Sequence, residues 1–532
     1  MNEKQPIYVL PDNVSRTLGK DAQRTNILAA KVVADIVKTT LGPKGMDKML
    51  VDSSGNIIVT NDGVTILEEM EIDHPAAKMI VEIAKTQEAE VGDGTTTVAL
   101  LAGKLLENAE KLLDRKIHPT VIVKGYKMSS EKSREILNEI ALNLENRDVL
   151  KQIAMTAMTG KGAEGHKEHL SELIAKAVDR VASDRNISED YIKIQKIKGS
   201  GISESELIEG VVIDKERANI EMPSFIKDAK ILIVDFSLEL KNPETETKIS
   251  ISTPEQLESF ITSEEKYLKT ITDKIILSGA NVVFCQKGID DVAQYYLAKS
   301  GIFACRRVSR SDIEKISKAT NARIVSNLND INSSDFGFAE LIEEAKKGDE
   351  SLIFIRGCKN PGVVTIIVRG TSTHVVDEIE RAIKDGLGDV ISAIKSGKVV
   401  SGGGAVEIEL ARRLRIYARS LGGREQLAVE EFANSLESIP ETLAENAGFD
   451  PIDILTELKK RHESGAMNDG LNLFNDQIEN TFNAGIIEPL KVKLQAIESA
   501  SEVAQMILRI DDVLVSKGNA KELPRNTYEG MD

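Results

Sequence analysis

The sequence predicts a multidomain protein of α and α/β type, mostly helical toward both chain ends and α/β in the middle. Three observations carry this expectation. At 532 residues the chain is longer than one hydrophobic core usually supports, and length alone suggests about three domains. Apolar residues recur at helical spacing before about residue 145 and after about residue 405. Between them, short β-rich runs alternate with helical stretches from about 216 to 368, the pattern of a compact α/β unit.

In chain order, residues 13–40 read as one long amphipathic helix with Ile27, Leu28, Val32, Val33, Ile36 and Val37 on its apolar side. Gly42-Pro43 stops it. Strand signals at 49–52 and 57–60 flank Ser53-Ser54-Gly55-Asn56 and suggest a hairpin. Helices then dominate to about 145. The β-rich runs of the middle lie at 231–234, 282–285, 302–305, 324–325, 352–355 and 363–368, with helical stretches at 288–299 and 310–320. Inside this unit the polar, turn-rich stretch 241–254 leads into an amphipathic helix carrying Leu257, Phe260, Ile261, Leu268, Ile271 and Ile275. Such an excursion in a compact domain is usually functional or flexible. The stretch 374–396 is helix-like, and the chain is helical again from about 405. The order helical, α/β, helical suggests that the two ends share one domain into which the middle is inserted.

The most informative segment is Gly92-Asp93-Gly94-Thr95-Thr96-Thr97 before the apolar run Val98-Ala99-Leu100-Leu101-Ala102. It reads as a tight loop opening a helix. Its glycines let an anion approach the backbone, and free amides at a helix start favour phosphate. Asp93 would repel phosphate directly, so it suits a hard cation such as Mg2+ that bridges phosphates. A plain N-capped helix with a Gly-Asp turn explains the same residues. Other candidates carry similar pairs of readings. Thr39-Thr40-Leu41-Gly42-Pro43-Lys44-Gly45 presents amides to an anion or simply ends a helix. Asp62 in Thr60-Asn61-Asp62-Gly63 orients an attacking water or belongs to a turn. Lys161 in Thr159-Gly160-Lys161-Gly162 reaches a terminal phosphate or is a solvated surface lysine. Gly402-Gly403-Gly404 sits at a helix start that favours an anion or close packing. Asp385, judged by its neighbours alone, is a surface acid. His166 and His169 have metal-ligand spacing but no partner cysteines or third histidine nearby.

Composition excludes several classes. The net charge of −17 argues against a generic nucleic-acid or anionic-membrane binder. Aromatics are 4% with no Trp, so a base-stacking platform is not expected. Cys285, Cys305 and Cys358 form no CxxC pair, which fits a reducing, cytoplasmic setting. The first ten residues do not read as a secretory signal, and no apolar run of about 18 residues suggests a membrane span. P-loop, G-x-S-x-G and kinase motifs do not occur.

Taken together, the segments resemble the group II chaperonins, the family of the archaeal thermosome and the eukaryotic cytosolic ring chaperonin, with closer likeness to the archaeal branch. The likeness rests on the run from Thr40 to Met49 (TLGPKGMDKM), Thr60-Asn61-Asp62-Gly63, the hexapeptide from Gly92 to Thr97, the run from Thr159 to Glu164 (TGKGAE), Ser401-Gly402-Gly403-Gly404 and Gly485-Ile486-Ile487-Glu488-Pro489. Order and spacing agree across nearly the whole chain. The resemblance implies an equatorial ATPase domain from 1–146 and 404–532, an intermediate domain from 147–215 and 369–403, and an apical substrate-binding domain at 216–368. The excursion at 241–275 would be a built-in lid protrusion. It also implies a double ring of identical or homologous subunits, 16 or 18 in all, that encloses unfolded polypeptide clients and is driven by ATP.

Carried over by motif, Leu41, Gly42, Pro43 and Gly94, Thr95, Thr96 and Thr97 would hold ATP or ADP phosphates, and Asp93 would bind Mg2+. Asp62 and Asp385 would be catalytic, positioning and activating water. Thr159, Gly160 and Lys161 would sense the terminal phosphate. Gly402, Gly403, Glu488 and Lys493 would contact the nucleoside, and Gly470 to Asn472 would line the adenine pocket. Two departures stand out. Gly386 occupies a position where the family commonly has Ala, which loosens a helix by about 1 kcal/mol next to Asp385. The tail from Tyr528 to Asp532 lacks a Gly-Gly-Met repeat. The rival readings are a ring scaffold with a non-hydrolysing nucleotide site and a small-molecule kinase.

Overall fold

The computed structural model describes residues 14–516, apart from 52–54, 56, 145, 183–186, 200, 241–252, 348–349 and 359–361. Buried apolar side chains gather into three main bodies. The first is all helical in its core. It joins the helices Gly19–Lys38, Pro75–Val91, Thr95–Asp114 and Pro119–Ile140 to Ala405–Ser420, Glu425–Leu436 and Leu490–Leu508 from the other end of the chain. The helix Thr95–Asp114 is its axis: the run Val98 to Leu106 is buried except for Lys104. Gly103 lets this helix press on Gly19–Lys38, because a Cβ there would lie 2.4 Å from the Ala34 Cβ. Large rings are scarce, and Tyr126 fills the centre, edge-on to Phe432 at 5.5 Å and donating its hydroxyl to the Leu105 carbonyl at 2.7 Å.

The second body packs the helices Arg147–Met158, Lys167–Val181 and Thr373–Ser396 against the strands Ile192–Lys198 and Val364–Gly370. Those strands begin a sheet of nine strands among the described residues. Its order continues through Glu206–Ile213, Glu350–Cys358, Gly337–Lys347, Phe225–Val234, Val282–Cys285 and Phe303–Cys305, with Ile324–Val325 also on Phe225–Val234. The last strands run parallel, and the helix Arg310–Thr320 covers one face while Pro254–Ser278 and Asp291–Lys299 cover the other. Burial on both faces explains why Val282–Cys285 and Phe303–Cys305 are apolar without alternation. Glu206–Ile213 pairs with both Val364–Gly370 and Glu350–Cys358, so one strand serves the second and third bodies. The sheet thus starts before residue 216.

The α and α/β class is as expected, and the hairpin forms as Lys48–Val51 paired with Ile57–Thr60. The helix expected over 13–40 does not start until Gly19. Val14–Leu18 is instead a strand, paired antiparallel to Asp512–Ser516. Arg16 adds an ion pair to Asp512 at 2.5 Å. Leu28 and Val32, expected on the apolar face, are exposed. The strands Ile192–Lys198, Glu206–Ile213 and Gly337–Lys347 are additions to the sequence reading. Along Pro254–Ser278, Leu268, Ile271 and Ile275 are buried, while Phe260 and Ile261 stand in solvent. Residues 241–252 of the excursion and the tail 528–532 lie outside the described residues. Among the described residues no helix is long and apolar enough to cross a membrane.

Candidate functional site

A cavity of about 420 Å³ opens where the first and second bodies meet. Leu41, Gly42, Pro43, Asp62, Asp93, Gly94, Thr95, Thr96, Thr97, Thr159, Gly160, Lys161, Gly403, Glu488 and Lys493 all line it. Segments as far apart in sequence as Leu41 and Lys493 therefore share one wall. One end is polar, with the hexapeptide, Asp62 and Lys161. The other end is apolar, with Ile439, Leu443, Leu471 and Leu473.

Two helices start at this cavity without a side-chain cap. Gly94 (φ +85°) precedes Thr95–Asp114, and Gly404 (φ +80°) precedes Ala405–Ser420. Both glycines hold left-handed backbone that a side chain would strain. Both leave first-turn amides and the positive end of a helix dipole at the wall. Gln87 fixes the first of these loops, donating to the Asp93 carbonyl at 2.9 Å. The preceding Gly92 ends Pro75–Val91 and meets the helix Thr373–Ser396: a Cβ on Gly92 would lie 3.0 Å from the Gly388 Cα, and one on Gly388 would lie 3.0 Å from the Gly92 Cα. Two glycines thus let a helix of the second body rest directly on the hexapeptide.

Asp62 caps Gly63–Glu69. Its Oδ2 accepts from the Thr65 amide at 3.0 Å and the Thr65 hydroxyl at 2.6 Å. The turn reading of Asp62 is correct, and it is compatible with a chemical role, since both bonds use one oxygen. Its neighbour Asn61 donates to the Gly160 carbonyl at 2.6 Å, tying this turn to the lysine loop.

Lys161 and Asp385 overturn what their neighbours alone suggest. Asp385 is buried and Lys161 half-buried: they form an ion pair, and Lys161 also lies 3.7 Å from Asp93. Burial opposes the charge on Lys161, but Asp385 and Asp93 outweigh it and hold its pKa above the ordinary lysine value. Burial pushes the Asp385 carboxyl up to about 7, with Lys161 opposing and Asp93 adding to the rise. Gly386 lies inside the continuous helix Thr373–Ser396. It packs against Lys167–Val181 and Arg147–Met158, where a Cβ would lie 3.0 Å from the Ile174 Cδ1 and 3.5 Å from the Met158 Cγ.

Asp385, Gly402, Gly470 and Asn472 do not line the cavity. Asp385 stands behind Lys161. Gly402 backs Glu488, whose Oε1 would be 2.8 Å from an added Cβ. Gly470 packs on the Gly402 and Gly403 carbonyls. Asn472 turns away, donating to Glu479 at 2.7 Å, and its neighbours Leu471, Leu473 and Phe474 reach the cavity instead. Strand alternation explains the swap: residues 471 and 473 share the face opposite to 470 and 472. At the same end Lys493 pairs with Glu407 at 2.9 Å and Glu488 at 2.6 Å, all largely buried.

The sequence reading passed over Asn61, Glu88 and Asp389. Glu88 sits among polar residues that resemble a solvated helix face. Burial, then Asp385, Asp62 and Asp93, push its carboxyl up to about 8. In the unfolded chain it would titrate near the ordinary glutamate value. Between about pH 4.5 and pH 8 the folded protein therefore binds more protons than the unfolded one, and stability falls as pH rises. Glu88→Gln should lose this slope. The thermal midpoint of the parent should drop more than that of the variant between pH 5 and pH 8; parallel midpoints would contradict the assignment.

Residues 33–518 match the model of the TCP-1/cpn60 chaperonin family, and the chain belongs to that family. It is a chaperonin of group II. It is 56% identical to thermosome subunit alpha of Archaeoglobus fulgidus over 523 residues, 97% of this chain and 96% of the relative. Thermosome subunit beta of the same organism is 56% identical over 533 residues, 99% and 98% of the two chains. The thermosome subunit of Methanopyrus kandleri is 54% identical over 521 residues, 97% and 96%.

Proposed function

We propose that this chaperonin binds ATP with Mg2+ in the cavity and hydrolyses it to ADP and phosphate, using the cycle to open and close around unfolded polypeptide. The observation that carries this reading is the meeting of Asp62, Asp93, Lys161 and Asp385 around two uncapped helix starts. Amides and hydroxyls of Thr95, Thr96 and Thr97 suit the phosphate oxygens, and the apolar end suits the base. Lys161 neutralises the terminal phosphate as charge develops. Asp62 at the wall orients the attacking water, and Asp385, which stands behind Lys161 here, would accept its proton once Lys161 turns to the terminal phosphate. Asp93, beside the phosphate loop, is an oxygen donor of the kind Mg2+ takes, and the buried Oδ1 of Asp389, without a hydrogen-bond partner, is a second oxygen nearby. Mg2+ held there would supply charge neutralisation to the phosphates.

Asp62 and Asp93 belong to the first body, Lys161 and Asp385 to the second, so a nucleotide held by all four favours the arrangement that brings the bodies together. Preferential binding to that arrangement is enough to shift the conformational balance. Domains 1–146 with 404–532, 147–215 with 369–403, and 216–368 are the moving parts of this reading. The stretch 241–275 acts as lid in a cytoplasmic double ring of 16 or 18 subunits. The test is turnover of ATP by the purified protein with no small-molecule acceptor, paired with negative-stain images with and without ATP. Acceptor-independent hydrolysis and ring closure are expected; turnover that needs an acceptor would overturn the proposal.

A further inference from the structure

We propose that Asp389 is a positioning residue of the metal–nucleotide site, its carboxylate holding through bound water the cation that Asp93 ligates. This rests on the reading of the cavity given above. Asp389 lies one helical turn beyond Asp385 on Thr373–Ser396, so the two acids share a face. The contact of Gly388 with Gly92 places that turn against the hexapeptide, setting Asp389 next in chain to one glycine and Asp93 next to the other. Asp389 is only 2% exposed, and its buried Oδ1 has no hydrogen-bond partner. A native protein rarely buries a carboxylate this way, and such a group calls for a specific explanation.

Local charge supplies one. Burial first, then the nearby acids Asp93 and Glu488, disfavour charge on Asp389, with Lys161 opposing and Asp385 adding to them. Lys161 is already shared by Asp385 and Asp93, and Lys493 by Glu488 and Glu407. A charge on Asp389 therefore has no cation of its own among these groups. A divalent cation on Asp93 restores the balance, and its water shell has donors for the Asp389 oxygens. Carboxylates that act through metal-bound water orient the inner ligands, and their loss commonly weakens metal binding about 10- to 100-fold.

The test uses the full-length protein, a fluorescent ADP analogue and Mn2+ as probe. Asp389→Asn keeps shape and removes charge; Asp389→Val removes the polar group altogether and guards against a folding defect in the first variant. Free Mn2+ at half-saturation, read by electron paramagnetic resonance in the presence of ADP, should rise at least about 10-fold in both variants. Affinity for ADP without metal should be unchanged and the thermal midpoint should not fall. Unaltered Mn2+ affinity in either folded variant overturns the role of Asp389 alone. Absence of nucleotide binding by the parent protein would instead bring down the functional reading beneath it.

Discussion

Asp385→Ala is expected to abolish ATP turnover while leaving nucleotide binding intact. Asp385 stands behind the cavity wall, so its removal deletes no residue that touches the base or the phosphate loop. Lys161 keeps Asp93 as a neighbour at 3.7 Å and stays charged. What disappears is the buried carboxyl paired with Lys161, whose pKa burial raises above the usual carboxylate range. General base catalysis contributes about 10²- to 10⁴-fold, so turnover should fall by at least about 100-fold. Steady-state phosphate release together with equilibrium binding of a fluorescent nucleotide separates the two effects. Unchanged turnover would remove Asp385 from the mechanism; lost binding would make it a structural residue.

Lys493→Ala should be the most damaging single change to stability. Lys493 carries the positive charge between Glu407 and Glu488. The Glu407 side chain is only 4% exposed, and its buried Oε2 has no hydrogen-bond partner. Removing one member of a buried ion pair strands the other, which costs about 3–5 kcal/mol. The loss should appear as a large drop in the thermal midpoint at fixed scan rate. Adding Glu407→Gln to Lys493→Ala should recover part of it, because the stranded charge is then gone. A double variant no better than the single one would show that Lys493 acts through packing of its stem.

Much of the site was legible because its signals are local. Gly-Asp-Gly before three threonines and an apolar run specifies a loop and a helix start within ten residues, and the structure has both. Family likeness then joined segments that periodicity cannot join. What was not legible depends on partners far away in sequence. Val14–Leu18 becomes a strand only because Asp512–Ser516 lies alongside. Gly337–Lys347 carries Glu343, Glu344, Lys346 and Lys347, a composition without strand signal, yet it lies between two strands and Glu343 meets Arg356 at 2.8 Å. Asp385, Asp389 and Glu88 look like surface acids because charge in sequence says nothing about what packs on it. Burial of these acids is a tertiary fact, produced by one helix pressing on another through Gly92 and Gly388.

The pairing of Val14–Leu18 with Asp512–Ser516 has a consequence for biosynthesis. On a ribosome the strand Val14–Leu18 must wait for Asp512–Ser516 before it finds its neighbour. The helices around Thr95–Asp114 likewise lack Ala405–Ser420 and Leu490–Leu508 until those distant segments are made. Meanwhile the sheet around Phe225–Val234 has all its strands in hand by residue 370. A folding machine of this design is therefore itself a late folder: its helical body stays unfinished, with apolar helix faces bare, while its central part is already complete.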